Sequence, residues 1–291
     1  MNQPHNNLVE MRQRSVQCAG AHGLHRMAYT EWGAAENPRV VICVHGLTRC
    51  SRDFDFLAQA LARDYRVICP DVVGRGKSDW LVHKNDYALP LYVADMVTLI
   101  ARLNVDQVHW VGTSMGGLIG MLLAGLPQSP ITRLVLNDVG PVITIESLKR
   151  IGEYVGRAPK FTDIEEAEKF VRVVSAPFGN LTDAQWRHLT VHSTRSAAGG
   201  GLEMAYDPGI AESFRQALVE QDVDLWPVYD AILCPALVMR GAQSDLLSHE
   251  TAVAMGKRGP RAQVVEIPEV GHAPMLMDAM QIDLVQRFLL K

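Results

Sequence analysis

The most constraining feature of this 291-residue sequence is a Gly-x-Ser-x-Gly motif formed by Gly112, Ser114 and Gly116. It follows the apolar run 108–111 and precedes an apolar stretch with helical spacing. A sharp turn from a strand into a helix strains its central residue and crowds the residues two positions before and after it; glycine removes the clashing Cβ atoms. The pattern therefore predicts that the Ser114 hydroxyl stands clear of the backbone at a helix N-terminus, where negative charge is favoured.

Short, mostly β-branched runs alternate with helical patterns in the first half of the chain and again near its C-terminus. The run 40–44 is apolar throughout, which is typical of a strand buried on both faces. Strands are predicted near 16–18, 24–32, 40–44, 65–69, 108–111, 133–137, 236–240 and 263–267, and helices near 52–63, 91–103, 115–124, 250–257 and 275–290. This alternation predicts an α/β fold with a mostly parallel sheet covered by helices on both faces.

The alternation stops between residues 142 and 223, where no buried strand pattern appears. Four helices are predicted there instead, near 146–157, 164–174, 183–194 and 210–219. We therefore expect a core made of residues 1–141 and 224–291, interrupted by a helical insertion of residues 142–223.

The composition excludes several classes of protein. A net charge of −4 without a long basic run argues against a nucleic-acid partner. Five cysteines without a Cys-x-x-Cys pair predict reduced thiols. The polar stretch 1–17 lacks the apolar segment of a secretory signal, and no apolar run approaches the roughly 18 residues of a membrane span. We expect a cytoplasmic protein that acts on a small molecule; its oligomeric state is not indicated.

Neither a metal nor another cofactor is expected. His188 and His192 have the spacing of a zinc-binding helix, but Leu189 stands where the zinc-protease motif has glutamate. The stretch Gly76-Lys77-Ser78 resembles the end of a phosphate-binding loop, but Asp71 occupies the position of the required first glycine.

A serine hydroxyl needs a base that takes its proton, and the base needs an acid that orients it. His272 follows the last predicted strand, at the sheet edge where functional groups gather in open α/β sheets. Asp245 follows another strand at the same edge and is the preferred acid. Asp138, after the strand 133–137, is the alternative. His45 is interpreted as a structural residue.

Two backbone N–H groups are candidates for stabilising the negative charge of a reacting carbonyl oxygen. Met115 directly follows the serine at the start of a helix, and Leu47 follows the strand 40–44. Such donors typically contribute about 3–4 kcal/mol each to transition-state stabilisation.

Taken together, these features resemble the α/β-hydrolase superfamily, specifically its cap-bearing serine hydrolases. The resemblance rests on the ordered series His45-Gly46, Asp71-x-x-Gly74-x-Gly76-x-Ser78, Gly112-x-Ser114-x-Gly116, the Asp245 loop and Gly271-His272. It implies an eight-stranded sheet, with a cap inserted after the sixth strand, where residues 142–223 lie.

The resemblance leaves the reaction open, because one fold serves many reactions. Serine at the motif's centre favours hydrolysis of a small or medium carboxylic ester through an acyl-enzyme. Related carbon–carbon bond hydrolases share the triad but usually have asparagine before the serine and tryptophan after the histidine, where this chain has Thr113 and Ala273. A lactonase and a non-enzymatic ligand-binding protein are the remaining alternatives.

Overall fold

The computed structural model describes residues 10–216 and 221–291. The strands are β1 (Arg12–Gly20), β2 (Gly23–Trp32), β3 (Val40–Val44), β4 (Arg66–Pro70), β5 (Val108–Thr113), β6 (Ile131–Asn137), β7 (Val142–Ile143), β8 (Lys160–Phe161), β9 (Thr194–Ser196), β10 (Leu202–Met204), β11 (Val223–Asp224), β12 (Ala236–Gly241) and β13 (Gln263–Ile267). The α-helices are α1 (Asp55–Leu61), α2 (Leu89–Leu103), α3 (Met115–Ala124), α4 (Ile145–Tyr154), α5 (Ile164–Val174), α6 (Asp183–Ser193), α7 (Ile210–Gln216), α8 (Trp226–Asp230), α9 (His249–Met255) and α10 (Ala279–Leu289).

Eight strands form the main sheet, in the order β1-β2-β4-β3-β5-β6-β12-β13. The pairs from β4 onward are parallel, whereas β2 is antiparallel to both β1 and β4. The predicted α/β class and mostly parallel sheet are confirmed. The first strand begins at Arg12, earlier than predicted. Its first residues carry little apolar pattern and are held by pairing, as Arg12 opposite Glu31 illustrates.

The sheet is buried on both faces, as the apolar run of β3 predicts. Val40, Ile42 and Val44 pack into a large cluster with residues of α2 and α3. Val41 and Cys43 point the opposite way, into a cluster with residues of α1 and α10. Helices on both faces leave the strand ends free, so the loops after β3, β5, β6, β12 and β13 meet at one edge.

Between β6 and β12 the chain forms α4 to α8 and two small sheets, β8-β10-β9 and β7-β11. The side chain of Asp163 caps α5, and Thr182 forms a capping box with Gln185 at the start of α6. The small sheets were not predicted because two or three residues are too few to show a period. The predicted end of the fourth helix, 217–219, lies outside the described residues.

The described residues contain no helix with both the length and the apolar character needed to cross a bilayer. All five cysteines are free thiols, as predicted, and four of them are buried.

Candidate active site

Ser114 lies at the turn between β5 and α3 in the predicted strained conformation. Its φ of 53° and ψ of −117° are rarely adopted by residues other than glycine. A Cβ atom on Gly112 would lie 2.2 Å from the Gly116 carbonyl oxygen, and one on Gly116 would lie 1.9 Å from the carbonyl oxygen of Val44. The second glycine is therefore required by the neighbouring strand β3 and not by Gly112, a contact that sequence spacing does not reveal.

His272 reaches the serine as predicted. Its Nε2 atom lies 3.0 Å from the Ser114 hydroxyl oxygen, and its side chain is 17% exposed. The loop that carries His272 follows β13 and is held against β12, since a Cβ atom on Gly241 would lie 2.1 Å from the Gly271 carbonyl oxygen. This close approach keeps the backbone next to His272 against the end of β12.

The carboxylate beside His272 belongs to Asp138, so the preference for Asp245 was wrong. Asp138 Oδ2 lies 2.7 Å from His272 Nδ1, and the Asp138 side chain is completely buried. Its oxygens also accept the Gly241 N–H at 2.8 Å and the Ser244 hydroxyl at 2.7 Å. A carboxylate accepts only, so Nδ1 carries a proton and Nε2 is free to accept from Ser114.

Asp245 lies on the same loop as Ser244 but turns away from the histidine. Its side chain is 49% exposed, and its Oδ2 atom lies 2.7 Å from Nη1 of Arg150 on α4. The loop after β12 therefore contributes to the site through Gly241 and Ser244 and not through its acid. A serine that supports a neighbouring carboxylate leaves no signature in the sequence.

His45 is buried next to this site, but both of its ring nitrogens contact backbone groups. Its Nδ1 lies 2.7 Å from the Gly46 carbonyl oxygen, and its Nε2 accepts the Val72 N–H at 2.9 Å. Burial lowers the pKa of His45 to about 3, and the nearby Arg75 acts in the same direction. His45 is thus neutral and joins two loops, which agrees with its structural interpretation.

Arg75 is a residue of the site that the sequence did not single out. It is completely buried, and its Nε donates to the Leu47 carbonyl oxygen at 2.8 Å. Its other nitrogens reach the Val73 carbonyl oxygen at 2.7 Å, the Tyr92 hydroxyl at 2.9 Å and the Met115 sulfur at 3.6 Å. One guanidinium group therefore contacts both residues whose N–H groups were predicted to stabilise an oxyanion.

Asn137 adds a second unpredicted link. Its amide nitrogen donates to the Thr113 hydroxyl at 2.9 Å and to the Pro274 carbonyl oxygen at 2.7 Å. It thereby ties the residue before Ser114 to the loop that carries His272. The signal is weak in the sequence, because a single asparagine at a strand end has many structural uses.

Two cavities meet at Ser114. The larger, about 400 Å³, contacts Met115, Leu118 and Phe214, and none of the described residues that line it is charged. The smaller, about 180 Å³, is lined by His272 and by three arginines, Arg49, Arg150 and Arg157. Among the phenylalanines and tryptophans of 142–223, Phe170 and Phe178 line the smaller cavity, while Phe161 and Trp186 are buried in hydrophobic packing.

His188 and His192 line neither of the two cavities that meet at Ser114. His188 and His192 bring ring nitrogens within 4.8 Å of each other and of an Asp55 oxygen. Both Asp55 oxygens are engaged by Arg52, at 2.9 and 2.8 Å from its Nε. His188 Nε2 lies 2.9 Å from the Arg52 carbonyl oxygen. A guanidinium group already occupies the position of a cation, so these residues do not fit a metal.

The arrangement as a whole has the geometry of an activated nucleophile. A hydroxyl lies within hydrogen-bond distance of an imidazole, and the imidazole is oriented by a carboxylate. Two N–H groups lie at the same edge, at the start of α3 and in the loop after β3. Such a set can transfer an acyl group from a substrate to water.

Known proteins are similar to this chain over nearly its whole length. A 3-hydroxybutyrate-oligomer hydrolase from Cupriavidus necator is 52% identical over 280 residues, which cover 94% of this chain and 96% of that protein. The crystal structure of an alpha/beta hydrolase from Novosphingobium aromaticivorans matches with a TM-score of 0.86 and 35% identity, covering 97% and 98% of the two chains. A structure from Rickettsia typhi matches with a TM-score of 0.89 and 32% identity, covering 96% and 98%.

The family model described as the alpha/beta hydrolase fold matches residues 39–279, which span every strand of the main sheet from β3 onward and the whole insertion. The chain belongs to the alpha/beta hydrolase family.

Proposed function

We propose that this protein is a serine hydrolase that cleaves short oligomers of 3-hydroxybutyrate. The observation that carries the proposal is the continuous hydrogen-bonded series from Ser114 through His272 to Asp138, with distances of 3.0 and 2.7 Å. The 52% identity to a hydrolase of such oligomers supports the choice of substrate, since the similarity covers nearly all of both chains.

In the first half of the reaction, the Ser114 oxygen attacks the ester carbonyl carbon while His272 Nε2 takes the hydroxyl proton. The carbonyl oxygen becomes an oxyanion, which the N–H groups of Leu47 and Met115 stabilise. When the carbon–oxygen bond of the ester breaks, the imidazolium returns its proton to the leaving alcohol. An acyl group then remains on Ser114.

In the second half, a water molecule attacks the acyl carbon and His272 takes one of its protons. Collapse of the second oxyanion breaks the bond to Ser114, which regains its proton from His272. Asp138 stays ionised throughout and stabilises the imidazolium that forms in each half. The hydrogen bonds that its oxygens accept from the Gly241 N–H and the Ser244 hydroxyl support this role.

The two cavities suit the two sides of an ester. The larger cavity is apolar, and a chain with methyl branches at regular intervals removes apolar surface from water there. Ile151, Phe214 and other residues of 142–223 line it. We infer that this insertion acts as the cap that covers the substrate.

The experiment is a direct assay on the dimer and trimer of 3-hydroxybutyrate, with free 3-hydroxybutyrate measured as product. We expect the wild-type protein to release the monomer and the Ser114→Ala variant to lose at least a thousandfold in kcat. Absence of hydrolysis of these oligomers, alongside cleavage of p-nitrophenyl butyrate, would restrict the proposal to ester hydrolysis and exclude this substrate.

A further inference from the structure

The smaller cavity holds an arginine whose hydrogen bonding is incomplete. Arg150 uses Nη1 to pair with Asp245 at 2.7 Å, but its Nη2 is shielded from solvent and has no partner among the described residues. Buried donors of a charged group are almost always satisfied, because an unpaired one loses its hydrogen bonds to water without replacement. Since no solvent-sized space adjoins Nη2 in this arrangement, a ligand acceptor reaches it once the guanidinium moves from its position beside Asp245.

The charges around Arg150 favour an anion. Arg49 and Asp53 also line this cavity, and they neutralise each other through two hydrogen bonds of 2.8 and 2.6 Å. Arg157 lines it as well and forms no ion pair with a carboxylate of the described residues. Since Arg150 is paired with Asp245, the excess positive charge of this cavity is that of Arg157, in a protein whose net charge is −4.

The position of the cavity assigns it to one side of the ester. His272 lines the smaller cavity and not the larger one, and it is the group that must protonate the departing alcohol. The leaving group therefore lies on the side of Arg150, and the acyl group lies in the apolar cavity. In an oligomer of a hydroxy acid, the alcohol released from the last ester bond carries the free carboxylate.

We propose that Arg150 binds the terminal carboxylate of the oligomer and so directs cleavage to the last ester bond. A guanidinium group binds a carboxylate through two parallel hydrogen bonds, and Nη2 offers the first of them. Asp245 competes for the same guanidinium through Nη1. The inference rests on the proposed function, because it concerns which end of that substrate enters the smaller cavity.

The test compares two substrates, the 3-hydroxybutyrate dimer and the same dimer with its carboxylate converted to the primary amide. Cleavage of the single ester bond of each substrate is followed by chromatography. For Arg150→Met we expect the ratio of kcat/KM for the acid to that for the amide to fall about 10- to 100-fold, the effect of one lost charge-assisted interaction. Arg150→Lys keeps the charge and restores part of the ratio.

Asp245→Asn supplies the opposite change. It removes the competing carboxylate, so the same ratio is expected to rise several-fold through a lower KM for the acid. Arg187→Met is the matched control, since Arg187 is paired with Glu165 and Glu168 on α5 and does not line the cavity. It is expected to leave the ratio unchanged.

A purely structural Arg150–Asp245 pair gives a different pattern. Arg150→Met and Asp245→Asn would then lower kcat/KM equally for the acid and for the amide. The ratio would not change, and this result would overturn the inference. Failure of the proposed function is distinguishable from it, because the wild-type protein would then cleave neither dimer.

Discussion

The carboxylate of Asp138 lies 2.7 Å from Nδ1 of His272 even though the Asp138 side chain is completely buried. Burying an ionised carboxylate is unfavourable unless donors replace the lost water, and three donors do so here: Gly241, Ser244 and His272. These donors fix the orientation of the Asp138 carboxylate beside His272, whereas the half-exposed Asp245 carboxylate is paired with Arg150.

Substitution of Asp138 should lower kcat far more than substitution of Asp245. Asp138→Asn removes the charge and permits the wrong tautomer of His272, so we expect kcat on p-nitrophenyl butyrate to fall about 10³- to 10⁴-fold. Asp245→Asn is expected to change it by less than threefold on this uncharged ester. Equal losses in the two variants, with both folded by circular dichroism, would refute the assignment of the acid.

Arg75 is expected to act as a positioning residue for the oxyanion-stabilising loop. In Arg75→Met the Leu47 carbonyl loses its 2.8 Å donor, so the Leu47 N–H is held less firmly. We expect kcat to fall about tenfold with KM nearly unchanged, because an oxyanion forms only in the transition state. Arg75→Lys should recover part of the loss. A variant that changes KM alone would contradict this role.

The pKa of His45 predicts a component of acid instability. Its pKa is about 3 in the folded protein, against an ordinary value of 6.5, because burial opposes the charged form. The unfolded chain therefore binds a proton between these pH values that the folded protein does not, so stability is lost as the pH falls. In His45→Gln, the slope of the unfolding free energy plotted against pH should be smaller by about 1 kcal/mol per pH unit between pH 6 and 4. Urea unfolding measures this slope; an unchanged slope would contradict it.

The turn around Ser114 should not tolerate a methyl group at position 116. A Cβ atom on Gly116 would lie 1.9 Å from the Val44 carbonyl oxygen, and the obstacle is backbone that cannot rotate away. We expect Gly116→Ala to lower the free energy of unfolding by more than about 3 kcal/mol. Gly20→Ala is the control, since its nearest neighbour would be at 3.5 Å. Similar stability of the two variants would show that the strands separate more easily than expected.

Most of the fold could be predicted because the buried strands carry an unmistakable pattern. The run Val40–Val44 is apolar on both faces, and α3 begins directly after the predicted turn residue. The choice between Asp138 and Asp245 could not be made in this way. Both follow strands, β6 and β12, that are neighbours in the sheet, so both reach the same edge.

What decides between the two acids is the direction of one side chain. Asp138 adopts a positive φ of 56°, which directs its carboxylate toward His272 under the donors of the β12 loop. Asp245 instead meets Arg150, a residue 95 positions away in the chain. Aspartate tolerates a positive φ better than most residues, but no local pattern indicates which aspartate adopts it. Arg75 and Ser244 were missed for the same reason, since each acts through contacts between distant loops.

The central claim is that Ser114 is a nucleophile activated by His272. It is tested most directly by incubating the protein with a fluorophosphonate probe and locating the adduct by mass spectrometry. The account predicts one probe per chain, attached to Ser114, and a labelling rate at least a hundredfold lower in His272→Ala. A folded protein that remains unlabelled at Ser114, or that labels equally fast without His272, would contradict it.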